Sequence, residues 1–409
     1  MDRVLRDGRL SDDRRVDIEI TDGLISRVVT SGESPPDTLV DDLNGWLVLP
    51  ALAEPHAHLD SALTAEFAPN HRGDLQGAFD AGDEAFAAGN ITHEGMVARA
   101  VNAIELLMVH GVTAVRSHVA VGGRFGVRHV VALQEARSHF EGLIDIELVA
   151  ITLSPMTGTA GAENRAALLE AIELGVDRVG GCPHLDPDGA GLIENAIKVA
   201  ADAGIGIDLH VDETLDPSVF TLRELAHQVQ GSGFEHPVTA SHCVSLGMQA
   251  PQVQVEVARE VASAGINVIT LPQTNLFLQG RNHQTAIPRG LTAIRTLQEA
   301  GVLVAAGADN VQDPFNPVGR SDPLETAALM VMAGHQLPDV AYEMVSNDAR
   351  ECIGLFRVDV AVGAPADLLV IDATSIRHAM ADAPLSRRVY HNGLLVASAN
   401  QQTAVHRTE

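Results

Sequence analysis

The stretch Leu47-Val-Leu-Pro-Ala-Leu52-Ala-Glu-Pro-His56-Ala-His58 decides between two α/β folds. The apolar run at 47–52 reads as a buried strand. It leads into Glu-Pro-His-Ala-His rather than the GxGxxG turn that would open a doubly wound, nucleotide-binding sheet. Seven more apolar, β-rich runs follow, at 112–119, 144–151, 176–180, 205–211, 237–242, 266–271 and 302–306, most of them separated by enough chain for one helix. Gly111, Gly175, Gly204, Gly265 and Gly301 precede such runs, where a helix ends and the chain turns into the next strand. Repeated β–α units of this kind predict a (β/α)8 barrel, the TIM architecture. Outside it, residues 15–20 and 24–29 flank the turn Thr21-Asp22-Gly23, and residues 366–371 and 388–397 follow, the latter broken at Asn392-Gly393. Both ends of the chain therefore read as β-hairpins.

Polar residues interrupt the apolar runs at the C-terminal ends of the strands, where a barrel carries its chemistry. Strand one ends in His56 and His58, strand two in His118, strand four in His184, and strand five in His210, Asp212 and Glu213. Strand six ends in His242, and strand eight in Asp309 and Asn310. A single strand histidine is most simply a satisfied core residue. His56 and His58, two apart, point the same way into the barrel mouth; two adjacent imidazoles need a reason, and a shared cation supplies one. His210 and Asp309 complete a set of three histidines and one aspartate. Glu213 lies just past the strand that bears His210, so its carboxylate can lean over that set and act as acid or base for hydrolysis. The plainer reading of Glu213 is an acidic first helical turn.

Composition sets the outer limits. The 409 residues are 46% hydrophobic and 20% charged, which gives ample core and excludes disorder. A net charge of −27 repels phosphate backbones and anionic lipid, so neither nucleic acid nor a membrane is an expected partner. Cys182, Cys243 and Cys352 show no CxxC spacing, no leader-like or 18-residue apolar run is present, and a cytoplasmic protein is expected. Lys198 is the sole lysine.

Taken together, His56-Ala-His58-Leu-Asp, Arg116-Ser-His118-Val, Pro183-His184, His210-Val-Asp-Glu213, Thr239-Ala-Ser-His242 and Ala308-Asp309-Asn310 resemble the cytosine deaminase branch of the amidohydrolase superfamily. So do Asn275-Leu-Phe-Leu-Gln279-Gly-Arg281 and Asp313-Pro-Phe-Asn-Pro317. The resemblance spans nearly the whole chain. It implies a barrel over 51–356 and a small β-sandwich domain built from 1–50 and 357–409. It further implies one divalent metal ion, zinc or iron, held by His56, His58, His210 and Asp309. Glu213 matches the family's proton-shuttling glutamate, and His242 the histidine that, with Asp309, activates the water. Two positions depart: Leu153 stands where cytosine deaminases carry a glutamine that reads the base, and Asn310 where they carry a second aspartate. Asp309-Asn310 is similar instead to the triazine aminohydrolases acting on N-isopropylammelide, from which the His210-x-x-Glu213 pattern sets this chain apart. Binuclear members of the superfamily bridge two metals through a carboxylated lysine. Lys198 falls in a helical stretch, 194–203, on the barrel's outer ring, so one metal is expected.

The function these readings predict is hydrolytic deamination of a cytosine-like pyrimidine or triazine, with Leu153, His118, His184 and Asn310 as candidate substrate contacts. Cleavage of an N-alkylamino substituent or a cyclic amide stays open as the alternative. A catalytically dead barrel would have lost a metal or acid/base position, and none is lost. A homo-oligomer is expected.

Overall fold

In the computed structural model, residues 3–35 and 39–405 are described, and their strands fall into two sheets. In chain order these are β1 (Arg3–Arg9), β2 (Arg15–Thr21), β3 (Leu24–Thr30), β4 (Leu39–Asp42), β5 (Leu47–Pro50), β6 (Leu52–Ala57), β7 (Val112–Val121) and β8 (Asp145–Thr152). There follow β9 (Arg178–Gly181), β10 (Gly206–Val211), β11 (Val238–His242), β12 (Ile266–Thr270), β13 (Val304–Ala306), β14 (Leu368–Ile371), β15 (Arg387–His391) and β16 (Leu394–Ala399). Strands β6 to β13 pair in sequence order and all in parallel. A bridge from Ala57 to Asp309, with Asp309 N–H donating to His56 O at 3.1 Å, closes the circle. This is the expected eight-stranded barrel.

The terminal strands form one mixed sheet in the order β16-β15-β14-β5-β1-β2-β3, with β4 alongside β1. One sequence expectation needs correcting. Residues 47–52 are not the first barrel strand: β5 pairs with β14 in the terminal sheet, and the barrel begins only at β6. The run reads as one strand because both halves are buried, Val48 in the terminal core and Leu52 in the barrel core. Ala51 sits at the change of sheet, its N–H donating to Asp367 O at 3.0 Å.

Alternation along the barrel strands sorts the interior. On β10, Ile207, Leu209 and Val211 join the shell beneath the helices, leaving Asp208 and His210 for the barrel axis. Their β11 partners are Thr239 and Ser241. Lower down, Ala53, Ala114 and Ala305 pack on Ala349 and Cys352 of the helix Asn347–Cys352. Between apolar floor and polar mouth lies an ion-pair layer centred on the fully buried Arg116 and Asp208. Arg116 donates to Asp208 at 2.9 Å and contacts Glu147 at 2.7 Å, and Arg178 reaches Glu147 at 3.1 Å. Lys198 sits on the outer helix Gly189–Ala203, exposed and paired with Asp202. All three cysteines are free. Among the described residues no helix is long and apolar enough to cross a membrane.

Candidate metal centre and active site

His56, His58, His210 and Asp309 converge: one ligand atom from each lies within 4.8 Å of the others. His56 Nε2 and His58 Nε2 approach His210 Nε2 at 3.2 and 3.1 Å, and Asp309 Oδ1 stands 3.2 Å from His58 Nε2. The ring of His56 is oriented from behind. Ser241 Oγ donates to Asp208 Oδ1 at 3.0 Å, so it accepts from His56 Nδ1–H at 2.9 Å, and the Nε2 lone pair faces the cluster. Burial, reinforced by neighbouring imidazoles, holds His56 and His210 well below the usual histidine range, so both are neutral. Burial also works on His58, but the hydrogen bond and charge of Asp309, with Asp60 and Asp313, outweigh it and raise that histidine. Ring lone pairs and a carboxylate this close, away from water, repel unless a cation lies among them. Three imidazoles and one carboxylate fit a divalent ion of the zinc or iron kind.

A second grouping, His56, His118 and Asp208, is equally compact. Its carboxylate is already neutralised by Arg116 and its His56 nitrogen is taken by Ser241. His118 lies fully buried behind the cluster, stacked on His56 with ring centroids 3.9 Å apart, and among the described residues neither ring nitrogen has a hydrogen-bond partner.

Glu213 and His242 stand on the Asp309 side. His242 Nδ1 lies 3.7 Å from Glu213 Oε1 and donates to Asn275 Oδ1 at 3.2 Å. That leaves its Nε2 unprotonated, 3.9 Å from Asp309 Oδ2, and both atoms are buried without a partner. Burial, then the charge of Asp309, pushes the Glu213 carboxyl well above the usual carboxylate range. Gln279 fixes the chain there by donating to Glu213 O at 3.0 Å. His242 and Asp309 both have left-handed backbones, φ 69° and 70°, a local cost of roughly 1–3 kcal/mol that tight strand-end turns carry where they aim side chains. Asp212 does not reach the cluster. Its carboxylate accepts from the N–H groups of Thr221 and Leu222, capping the helix Thr221–Ser232.

The remaining candidates divide. Leu153, half-buried, lines a cleft of about 430 Å³ that also touches His58. His184 and Glu213 line an adjoining cleft of about 480 Å³. His184 Nδ1 donates to His210 O at 3.2 Å and its buried Nε2 has no partner, while burial brings its pKa down to about 4. Asn310 is buried with both amide atoms committed: Oδ1 accepts from Thr274 at 3.1 Å and Nδ2 donates to Asp313 at 2.8 Å. Glu54, Ser241 and Asn275 were given no role from sequence. Glu54 accepts from Ala308 N–H at 3.1 Å and His56 N–H at 3.2 Å, tying the strand of the paired histidines to the turn that carries Asp309. Its signal was a glutamate inside an otherwise apolar strand.

Residues 130–397 match the model of the amidohydrolase family. The chain belongs to that family. A pterin deaminase of Rhizobium rhizogenes is 33% identical to this amidohydrolase over 368 residues, covering 88% of this chain and 82% of the relative. Among solved structures, the 5-methylcytosine deaminase of Klebsiella pneumoniae bound to 5-fluorocytosine superposes with a TM-score of 0.86 at 28% identity, covering 99% of both chains. The N-isopropylammelide isopropylaminohydrolase of Burkholderia multivorans gives 0.85 at 26% identity, covering 97% of this chain and 98% of its own. The amidohydrolase described here is thus of the cytosine deaminase-like branch, a hydrolase acting on carbon–nitrogen bonds.

Proposed function

We propose that this amidohydrolase deaminates an amino-substituted nitrogen heterocycle, a cytosine-like pyrimidine or triazine, with release of ammonia. The observation that carries the reading is the placement of Glu213, a buried carboxyl with a raised pKa, beside His242 and the Asp309 side of the His/Asp cluster. His56, His58, His210 and Asp309 would hold one zinc or iron ion. When bound, the ion supplies an acidified water, its pKa lowered from 15.7 towards ~7. His242 Nε2 and Asp309 Oδ2 accept the proton of the attacking water. Glu213, protonated at the outset, gives its proton to a ring nitrogen, which makes the adjacent C–NH2 carbon electrophilic. Water oxygen adds to that carbon, and Glu213 takes the water proton held at His242 and Asp309 and passes it to the amino nitrogen. The C–N bond breaks as the added hydroxyl gives its own proton to Glu213, so that ammonia and a ring carbonyl remain and Glu213 is protonated as at the start. His184 Nε2, a lone-pair acceptor, would take a hydrogen bond from a substrate N–H. Asn310, with its amide fully engaged, would instead position Asp313 and the loop behind Asp309. His118 would pack behind His56.

The alternative, loss of an alkylamine rather than ammonia, draws support from the Burkholderia neighbour and from the apolar Leu153. Ammonia and alkylamine should be measured in parallel on cytosine, isocytosine, aminotriazines and aminopurines, with matched N-alkylated compounds, using metal-loaded protein. Ammonia from an unalkylated heterocycle supports deamination. Amine release confined to N-alkylated compounds would replace it with the alternative.

A further inference from the structure

The cleft beside Leu153 extends well past the metal cluster, under the helix Leu75–Ala87. Its far walls are aromatic. Phe79 of that helix meets Phe315 edge to face at 5.6 Å, and Phe86 meets Phe125 at 5.4 Å. Phe79 stays 38% exposed. Three polar side chains along this wall already have partners. Asp60 accepts from His129 at 2.8 Å, Ser61 donates to Asp313 at 2.6 Å, and Thr152 donates to Gly180 O at 2.9 Å. Arg124 lies 4.5 Å over the ring of Phe125 and pairs with Asp83. A volume of about 430 Å³ belongs to the range that encloses a drug-sized ligand, not a single six-membered ring.

One backbone position points the same way. Gly82 stands in the middle of that helix, lines the cleft, and has open space within 4 Å of where a Cβ would be. A helix-interior glycine costs stability relative to alanine. Here neither a positive φ nor a crowding neighbour calls for one, and its effect is to keep the lobe open.

Resting on the deaminase reading above, we propose that the substrate is a heterocyclic amine carrying a bulky apolar substituent, aryl or branched alkyl. The reacting ring sits at Glu213 and the substituent fills the lobe between Phe86, Phe125 and Phe315. Where Phe86, Phe125 and Phe315 line it, the lobe offers a polar arm no hydrogen-bond partner, so such an arm would lose its water without replacement, while each buried methylene gains roughly fourfold in affinity.

The test uses metal-loaded full-length protein and aminopyrimidines and aminotriazines substituted at each ring position in turn with methyl, benzyl or hydroxyethyl. The benzyl compound of at least one series should exceed its methyl partner tenfold or more in kcat/KM, and hydroxyethyl should not. In Gly82→Leu, whose side chain would occupy the lobe, the benzyl-to-methyl ratio should fall to near or below one. A ratio near or below one in the parent protein, or a high ratio untouched by Gly82→Leu, overturns the proposal. If no compound loses ammonia the deaminase reading fails instead, and calorimetric titration with benzylated pyrimidinones then decides the lobe. Binding that Gly82→Leu weakens tenfold supports it; no binding overturns it.

Discussion

Asp212 and Glu213 are adjacent carboxylates at one strand end, and their surroundings give them different work. Asp212 spends its oxygens on the backbone of the next helix, whereas Glu213 is buried beside His242 and, among the described residues, no donor holds its charge. Glu213→Gln should therefore keep its bound metal and lose 10²–10⁴-fold in kcat, roughly 3–5 kcal/mol of barrier. Turnover above about a tenth of the parent rate at full metal content would remove Glu213 from the mechanism. Leu153 supports a second expectation. Without a polar partner for the amide edge, cytosine buries unpaired groups at about 1–3 kcal/mol each, and its kcat/KM should stay below ~10⁵ M⁻¹s⁻¹. Steady-state kinetics on cytosine check it directly. The convergence of His56, His58, His210 and Asp309 was legible in sequence because paired strand-end histidines leave few physical explanations. Ser241 and Asn275 were not, because a hydroxyl or amide that orients an imidazole is indistinguishable in sequence from one that hydrogen-bonds its own backbone.

At the level of elements, the barrel was readable from apolar runs spaced by helix-length segments, and Lys198 lies on an outer helix as expected. The first strand was misread because a continuous apolar run reports burial but not which core receives it. Leu47–Pro50 and Leu52–Ala57 serve two sheets across a single residue. The strands Arg3–Arg9 and Leu39–Asp42 went unread for another reason. Their mixed polar composition carries no clean alternation, and they gain their order from neighbours in the sheet. The Asp212 cap allows a test here. Its loss in Asp212→Ala removes bonds to Thr221 and Leu222 and places alanine at φ 50°, so about 1–3 kcal/mol of stability should go. Denaturant unfolding measures that loss, and the midpoint should fall without a change in slope.

Over the whole molecule, the charge pairs couple the two sheets. His391 on β15 is an ion-pair partner of Asp367, with Nδ1 and Oδ1 3.1 Å apart, close to Asp145 of β8 and to Arg350. Burial lowers its pKa, but Asp367 and Asp145 outweigh that and raise it above 6.5. Asp367, in spite of burial, is held below 3.8 by His391 and Arg350. A raised histidine stabilises fully below its unfolded pKa and loses the contribution as pH rises through the folded one. Thermal stability should accordingly step down above pH 6.5, and His391→Gln should flatten that step in a melting series. Metal analysis should return about one divalent ion per chain, since Arg116 neutralises the only carboxylate of the second grouping. Two ions required for activity would refute the single-ion site. The change of sheet at Ala51 also has a consequence for biosynthesis. The partner of β5 is β14, more than 300 residues further along. At ~5–20 residues per second, a ribosome needs roughly 15–60 s to supply it. Throughout that interval Val4, Ile18 and Val48 belong to a half-built layer with an open edge. The first paired histidines are therefore synthesised well before the strand that completes the adjoining layer.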